Sequence, residues 1–166
     1  MKKRIKFAIV GLGRISHRHV DAISKFPKRA KLIEVCEKDK KTLNNFNYSS
    51  KINKFISFKE LIENSKADYI VLTSPNGLHS SQSIYAAENG FNVVTEKPMS
   101  INLKDSLNMI KAFKNANKKL FVVKQVRLLE RIKLLKQAID EEHFGKIFLS
   151  SFNLFWSRPQ SFFDEA

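Results

Sequence analysis

The sequence predicts a doubly wound α/β fold, a parallel sheet with helices on both faces, on the strength of three observations. Short apolar runs alternate with amphipathic segments from Phe7 to Val123. The first run stops at two glycines one residue apart, Gly11 and Gly13, and a helical pattern begins at once. The second run ends in an acid, Glu37, at roughly the twenty-residue spacing past a glycine turn that a dinucleotide-binding unit uses.

Phe7 to Val10 reads as the first strand. Gly11 turns the chain without a Cβ clash, and Gly13 lets backbone N–H groups approach a phosphate at the positive end of the next helix. That helix carries apolar Ile15, Val20, Ile23 and Phe26, and Ser16 is small enough for close helix–strand packing. Leu32 to Cys36 is the second strand, and Asp39 is placed to cap a short helix through Leu43 and Phe46. Residues 47–55 read as loop and a weak strand. Phe58, Leu61 and Ile62 have helical spacing, and Tyr69 to Leu72 is a buried strand. Pro75 stops it in Thr73-Ser74-Pro75-Asn76, since proline cannot continue strand pairing.

A helix from about Gly77 carries Leu78, Ile84, Tyr85 and Ala87, and Gly90 suits its left-handed stop. Phe91 to Val94 is the next strand, closed by Thr95-Glu96-Lys97-Pro98. Asn102 with Asp105 is a capping signal, and Leu103, Leu107, Ile110 and Phe113 make one apolar face. Leu120 to Val123 completes the alternation. A longer helix then spans about 128–142 on Leu128, Ile132, Leu135 and Ile139. Ile147 to Trp156 has strand composition and is too long for one more short parallel strand. It is expected to open a second, α+β domain that is incomplete within these residues. The expected division is therefore a dinucleotide-binding domain at 1–124, then a linking helix and first strand at 125–166.

A chain of 166 residues can bury one full core but not two. Its net charge of +14 is spread over lysines along the whole chain, with no dense basic arm, zinc spacing or helix-turn-helix pattern. Solvated lysine faces and an anionic cofactor account for it better than nucleic acid does. Cys36, the sole cysteine, sits in a predicted strand and reads as core. The basic start imitates a signal peptide, but the apolar part is short and Arg14, His17, Arg18 and His19 follow it. No run approaches the roughly twenty residues of a membrane span, so a cytoplasmic protein is expected. His17 and His19 lie on the first helix without a carboxylate or cysteine cluster, and no metal site is expected.

With Gly11-Leu12-Gly13-Arg14-Ile15, the Ser74-Pro75-Asn76 loop with His79, and Glu96-Lys97-Pro98 all at strand ends, the chain resembles the glucose-fructose oxidoreductase and inositol dehydrogenase family. It looks like the amino-terminal half of a member. The resemblance implies a Rossmann domain that binds NAD, joined to a domain with a large open sheet, and chemistry on sugar carbons. Gln125 to Arg127, Leu135 to Asp140, Phe144-Gly145-Lys146 and Phe155 to Gln160 look most like the branch that oxidises C3 of a UDP-linked N-acetylglucosamine uronic acid for bacterial surface polysaccharide.

Carried over by position, the resemblance gives Gly11, Gly13, Arg14 and Ile15 to the phosphate turn and Glu37 to the adenosine ribose. It gives Ser74, Pro75, Asn76 and His79 to the loop under the nicotinamide half, with Glu96 and Gln125 near the same pocket and Arg158 within reach of a phosphate. Lys97 becomes the catalytic residue, and its bond to Pro98 is expected to be cis. Without the resemblance, His79 reads equally as a helix cap, Glu96 and Lys97 as a surface pair, and Arg158 as a rim charge. Two departures stand out. VRLLERIKL replaces an Asn-Pro-containing loop usual in the branch, and the Gly-rich motif whose Asp and His accompany the family's lysine is not in this chain.

The function expected is an NAD-dependent oxidation of a nucleotide-sugar hydroxyl, with this piece inactive alone. A non-catalytic dinucleotide-binding module is the alternative. The apolar stretch 147–156, lacking partner strands, is expected to be disordered, folded back, or paired across a homo-oligomer.

Overall fold

The computed structural model describes residues 3–48 and 51–164. Residues 1–124 and 125–166 form two compact units. In the first, strands β1 (Ile5–Val10), β2 (Ala30–Cys36), β3 (Asn53–Phe55), β4 (Tyr69–Leu72), β5 (Asn92–Thr95) and β6 (Leu120–Val122) form one sheet in the order β3-β2-β1-β4-β5-β6. Every pairing is parallel. The order reverses between β1 and β4, so the loops after these two strands diverge and leave a crevice at the carboxyl edge.

Side chains alternate across the strands, save at the register shift of β2 against β1 that puts both Leu32 and Val35 on one face, and feed two cores. On one face Ala8, Val10, Ile70, Leu72 and Val93 meet Leu61 of α3 (Phe58–Asn64), Ala86 of α4 (His79–Glu88) and Phe113 of α5 (Leu103–Asn115). On the other, Ile9, Leu32, Val35 and Val71 meet Ile23 of α1 (Ser16–Ser24) and Leu43 of α2 (Lys40–Asn45). Strands buried on both faces read as continuous apolar runs, which is why the sequence located them.

Local signals act as expected at several ends. Asp39 accepts the Thr42 N–H at 2.7 Å, and the Thr42 hydroxyl and N–H together hold its carboxyl below the usual range. Asn102 caps α5 by accepting the Asp105 N–H at 2.8 Å. Gly90 has φ +85°.

Other expectations are corrected. On α5, Phe113 is buried with Met109, whereas Leu103, Leu107 and Ile110 are exposed. The core-facing stripe is narrower than the apolar pattern. On α4 the buried side is His79, Ser80, Ser83, Ala86 and Ala87, and Leu78 is exposed in a 3-10 turn (Asn76–Leu78) before the helix. Small residues let this helix lie close to the sheet.

The unit 125–166 holds a 3-10 turn (Gln125–Leu128), helix α6 (Glu130–Asp140) and a short helix α7 (Ser161–Asp164). No residue of α6 is buried. The expected strand at Ile147–Trp156 is not one: this stretch is irregular and its large side chains are exposed, Phe148 at 93% and Phe155 at 90%. Strand composition favours a half-buried pleat, but only a neighbouring edge can supply the ladder.

Candidate functional site

The carboxyl ends of β1, β2, β4 and β5 bring the singled-out residues to one edge of the sheet. Gly11 follows β1 with φ +89°, and its N–H donates to the Cys36 carbonyl at 2.8 Å. A Cβ there would lie 2.8 Å from the Thr73 carbonyl oxygen, so only glycine lets the β1 and β4 ends touch. The Thr73 hydroxyl seals that contact, facing the Gly11 carbonyl at 2.6 Å and the Val10 carbonyl at 3.0 Å.

Gly13 is different. A Cβ on it would meet nothing within 4 Å, so the space above the turn is open. Ser16 is fully buried and donates to the Gly13 carbonyl at 2.6 Å. No side chain caps α1, and Arg14 and Ile15 are exposed beside its first turn. An open cradle at an uncapped helix start suits a pyrophosphate.

Glu37 ties the turn to β2. One carboxylate oxygen accepts the Leu12 N–H at 2.7 Å and the other the Asp39 N–H at 3.0 Å. A carboxylate has about four acceptor positions, so capacity remains for ribose hydroxyls. Beside it a cleft is walled by Val10, Gly11, Ile56, Leu78, Pro75 and Gln82, mostly apolar surface suited to a flat base. Ile56, Leu78 and Gln82 were not among the site residues expected from the sequence. Gln82 sits one helical turn past His79, and its carbonyl accepts the Ser74 hydroxyl at 2.5 Å.

Cys36 also borders this cleft. Burial, reinforced by the charges of Glu37 and Glu60, pushes its thiol up to about 12. It is a core residue with no nucleophilic role at neutral pH.

His79 has no access to solvent. Its Nε2 lies 2.9 Å from the Ser74 carbonyl and its Nδ1 2.8 Å from the Pro98 carbonyl; a neutral ring carries one N–H and donates to one of the two, packed between the β4 and β5 loops. Pro75 and Asn76 are exposed between them. Glu96 is 7% exposed, and one carboxylate oxygen accepts from His19 Nε2 at 2.8 Å while the other accepts the Lys97 N–H at 3.2 Å. Lys97 itself is exposed and its bond to Pro98 is cis. Among the described residues its ammonium has no hydrogen bond or ion pair.

Gln125 and Arg158 belong to the other unit. Gln125 opens the 3-10 turn, and the Arg158 guanidinium stacks 4.2 Å from the centre of the Trp156 ring. Among the described residues no group of His, Cys, Asp and Glu is placed to hold a metal, and no helix is long and apolar enough to cross a membrane.

Sheet order, glycine turn and strand-end acid define a dinucleotide-binding Rossmann domain. Residues 5–124 match the oxidoreductase family with an NAD-binding Rossmann fold, and the chain belongs to that family, whose cofactor is NAD. Two solved structures align almost throughout. The WlbA dehydrogenase of Bordetella pertussis, in complex with NADH and UDP-GlcNAcA, is 39% identical with a TM-score of 0.95, covering 99% of this chain and 50% of that one. The Chromobacterium violaceum WlbA dehydrogenase, in complex with the same two molecules, is 42% identical with a TM-score of 0.95, covering 100% of this chain and 48% of that one. The scyllo-inositol 2-dehydrogenase (NAD(+)) of Bacillus subtilis is 28% identical over 151 residues, 88% of this chain and 43% of its own length. The chain thus spans about half the length of these relatives.

Proposed function

We propose that this chain supplies the cofactor half of an NAD-dependent dehydrogenase acting on a sugar hydroxyl, at C3 of a UDP-linked N-acetylated uronic acid. The observation that carries it is the exposed Lys97 ammonium, presented from the same sheet edge as the glycine turn and Glu37, with its N–H held by the Glu96 carboxylate. The sugar is favoured by the 39% and 42% identities to two dehydrogenases solved with UDP-GlcNAcA, against 28% to the inositol enzyme.

Bound NAD supplies the hydride acceptor. Gly13, Arg14 and Ile15 receive the pyrophosphate, Glu37 accepts from the adenosine ribose hydroxyls, and the Ser74-Pro75-Asn76 loop supports the nicotinamide half. Lys97 stands against the substrate hydroxyl. Its ammonium would stabilise the negative charge that develops on that oxygen as the hydroxyl proton passes to solvent. The chain spans about half the length of the two WlbA dehydrogenases, and in this reading the 166-residue stretch by itself binds NAD without turning a sugar over.

The test is direct. The longer protein carrying this chain, given NAD and UDP-N-acetylglucosaminuronate, generates NADH absorbance with a 3-keto product. Turnover of inositols and not of the UDP-sugar overturns the substrate, and NAD binding with no turnover of either returns the chain to a non-catalytic module.

A further inference from the structure

We propose that His19 is a positioning residue for Lys97, acting through Glu96; the inference rests on the reading of Lys97 as the reacting lysine. Glu96 is a nearly buried carboxylate whose two oxygens are divided between the His19 ring and the Lys97 N–H. A carboxylate turns readily about its last torsion, a broad two-fold well. Its contact with the adjacent N–H, 3.2 Å long, does not by itself fix that turn. The 2.8 Å bond from His19 does, because a second partner from a different direction sets the plane of the group. An ionised carboxylate only accepts, so the shared proton sits on Nε2 and the neutral ring suffices.

The route of this bond matters for chemistry. His19 stands on α1, within the first turn after the phosphate cradle, and Glu96 immediately follows β5, 77 residues away. The ring is 16% exposed and the carboxylate 9%, so the contact is only lightly screened. The helix that begins at the cofactor turn is thereby tied to the backbone that carries Lys97. His79 Nδ1 lies 2.8 Å from the next carbonyl, that of Pro98. Lys97 thus leaves a fixed stem, and removing His19 loosens that stem on one side.

Hydrogen exchange at the Lys97 amide reads the brace without any turnover. In the 166-residue chain, His19→Ala speeds exchange of that amide by about tenfold, the share of one charge-assisted bond, while amides of β1 and β4 change by less than about twofold. His19→Gln, which carries an N–H donor at similar reach, restores the slow rate. In the longer protein His19→Ala lowers kcat more than it raises KM for NAD, and His19→Gln recovers kcat. An unchanged Lys97 amide, a uniform rise across the sheet, or no recovery with glutamine overturns the proposal. The unmodified chain gives a second reading that needs no variant: the ¹⁵N shifts of the His19 ring report a proton on Nε2, and a proton on Nδ1 alone overturns it. Lys97→Ala separates the two ideas, since normal turnover in that variant defeats the proposed function and leaves the exchange result standing.

Discussion

Alanine substitution at the two glycines of the first turn should separate a folding requirement from a binding requirement. At Gly11 an added Cβ lies 2.8 Å from the Thr73 oxygen and 2.9 Å from the Ser74 nitrogen, both backbone atoms that cannot swing away, and φ is +89°. The backbone conformation costs about 1–3 kcal/mol for a residue with a Cβ, and forcing the two strand ends apart adds about 1–3 kcal/mol. A loss near 4 kcal/mol is a large part of the roughly 5–15 kcal/mol that holds a domain together. For a chain of this size it lowers the melting temperature by about 8–16 °C. At Gly13 nothing lies within 4 Å and φ is not positive, so Gly13→Ala should leave stability unchanged or raise it by about 0.5 kcal/mol. There the added methyl stands where the pyrophosphate must approach, and loss of even one amide–phosphate bond weakens NAD binding by about tenfold or more. Thermal melts and urea titrations give the first quantity, and calorimetric titration with NAD gives the second. A Gly11→Ala chain as stable as the parent, or a Gly13→Ala chain that binds NAD normally, would refute this account of the turn.

Glu37 should set the cofactor preference, because its charge would face a 2′-phosphate at close range. NAD should bind more tightly than NADP, Glu37→Ala should narrow the gap by about tenfold, and parent protein binding NADP more tightly would contradict the assignment. In the longer protein Lys97→Ala should cut turnover by orders of magnitude while NAD affinity stays within several-fold; equal losses in both would leave lysine a binding role only. Cys36 should resist thiol reagents in the folded chain at pH 8, since a thiol raised to about 12 is almost wholly protonated there, and should react on unfolding. The same shift has a sign for stability. The folded state keeps a proton that the unfolded thiol releases above about 8.5, so stability should fall as pH rises from there toward 12. Rapid labelling of folded protein at pH 8 would place Cys36 outside the core.

Where a feature depends on a few neighbouring residues, the sequence by itself determined it. The glycine turn, the cap at Asp39, the pairing of Asn102 with Asp105 and the stop at Gly90 are of this kind, since each is governed by allowed φ values or by a side chain reaching an amide three residues on. The central strands β1, β2, β4 and β5 were legible too, because burial on both faces leaves largely apolar runs, whereas the edge strand β3 is mostly exposed and reads only as a weak one. Only the tertiary structure decided which stripe of α5 faces the core, since Leu103, Leu107 and Ile110 are as apolar as the buried Met109 and Phe113. It also decided that Ile147–Trp156 forms no ladder, because strand composition does not supply a partner. In the site, the sequence placed Gly11, Glu37 and Lys97 at strand ends but could not join His19 to Glu96, or give His79 its two carbonyls. Those contacts span loops that meet only once β1, β4 and β5 lie side by side. A hydrogen bond between residues 77 positions apart depends on the registry of the whole sheet, and no local pattern of residues encodes it.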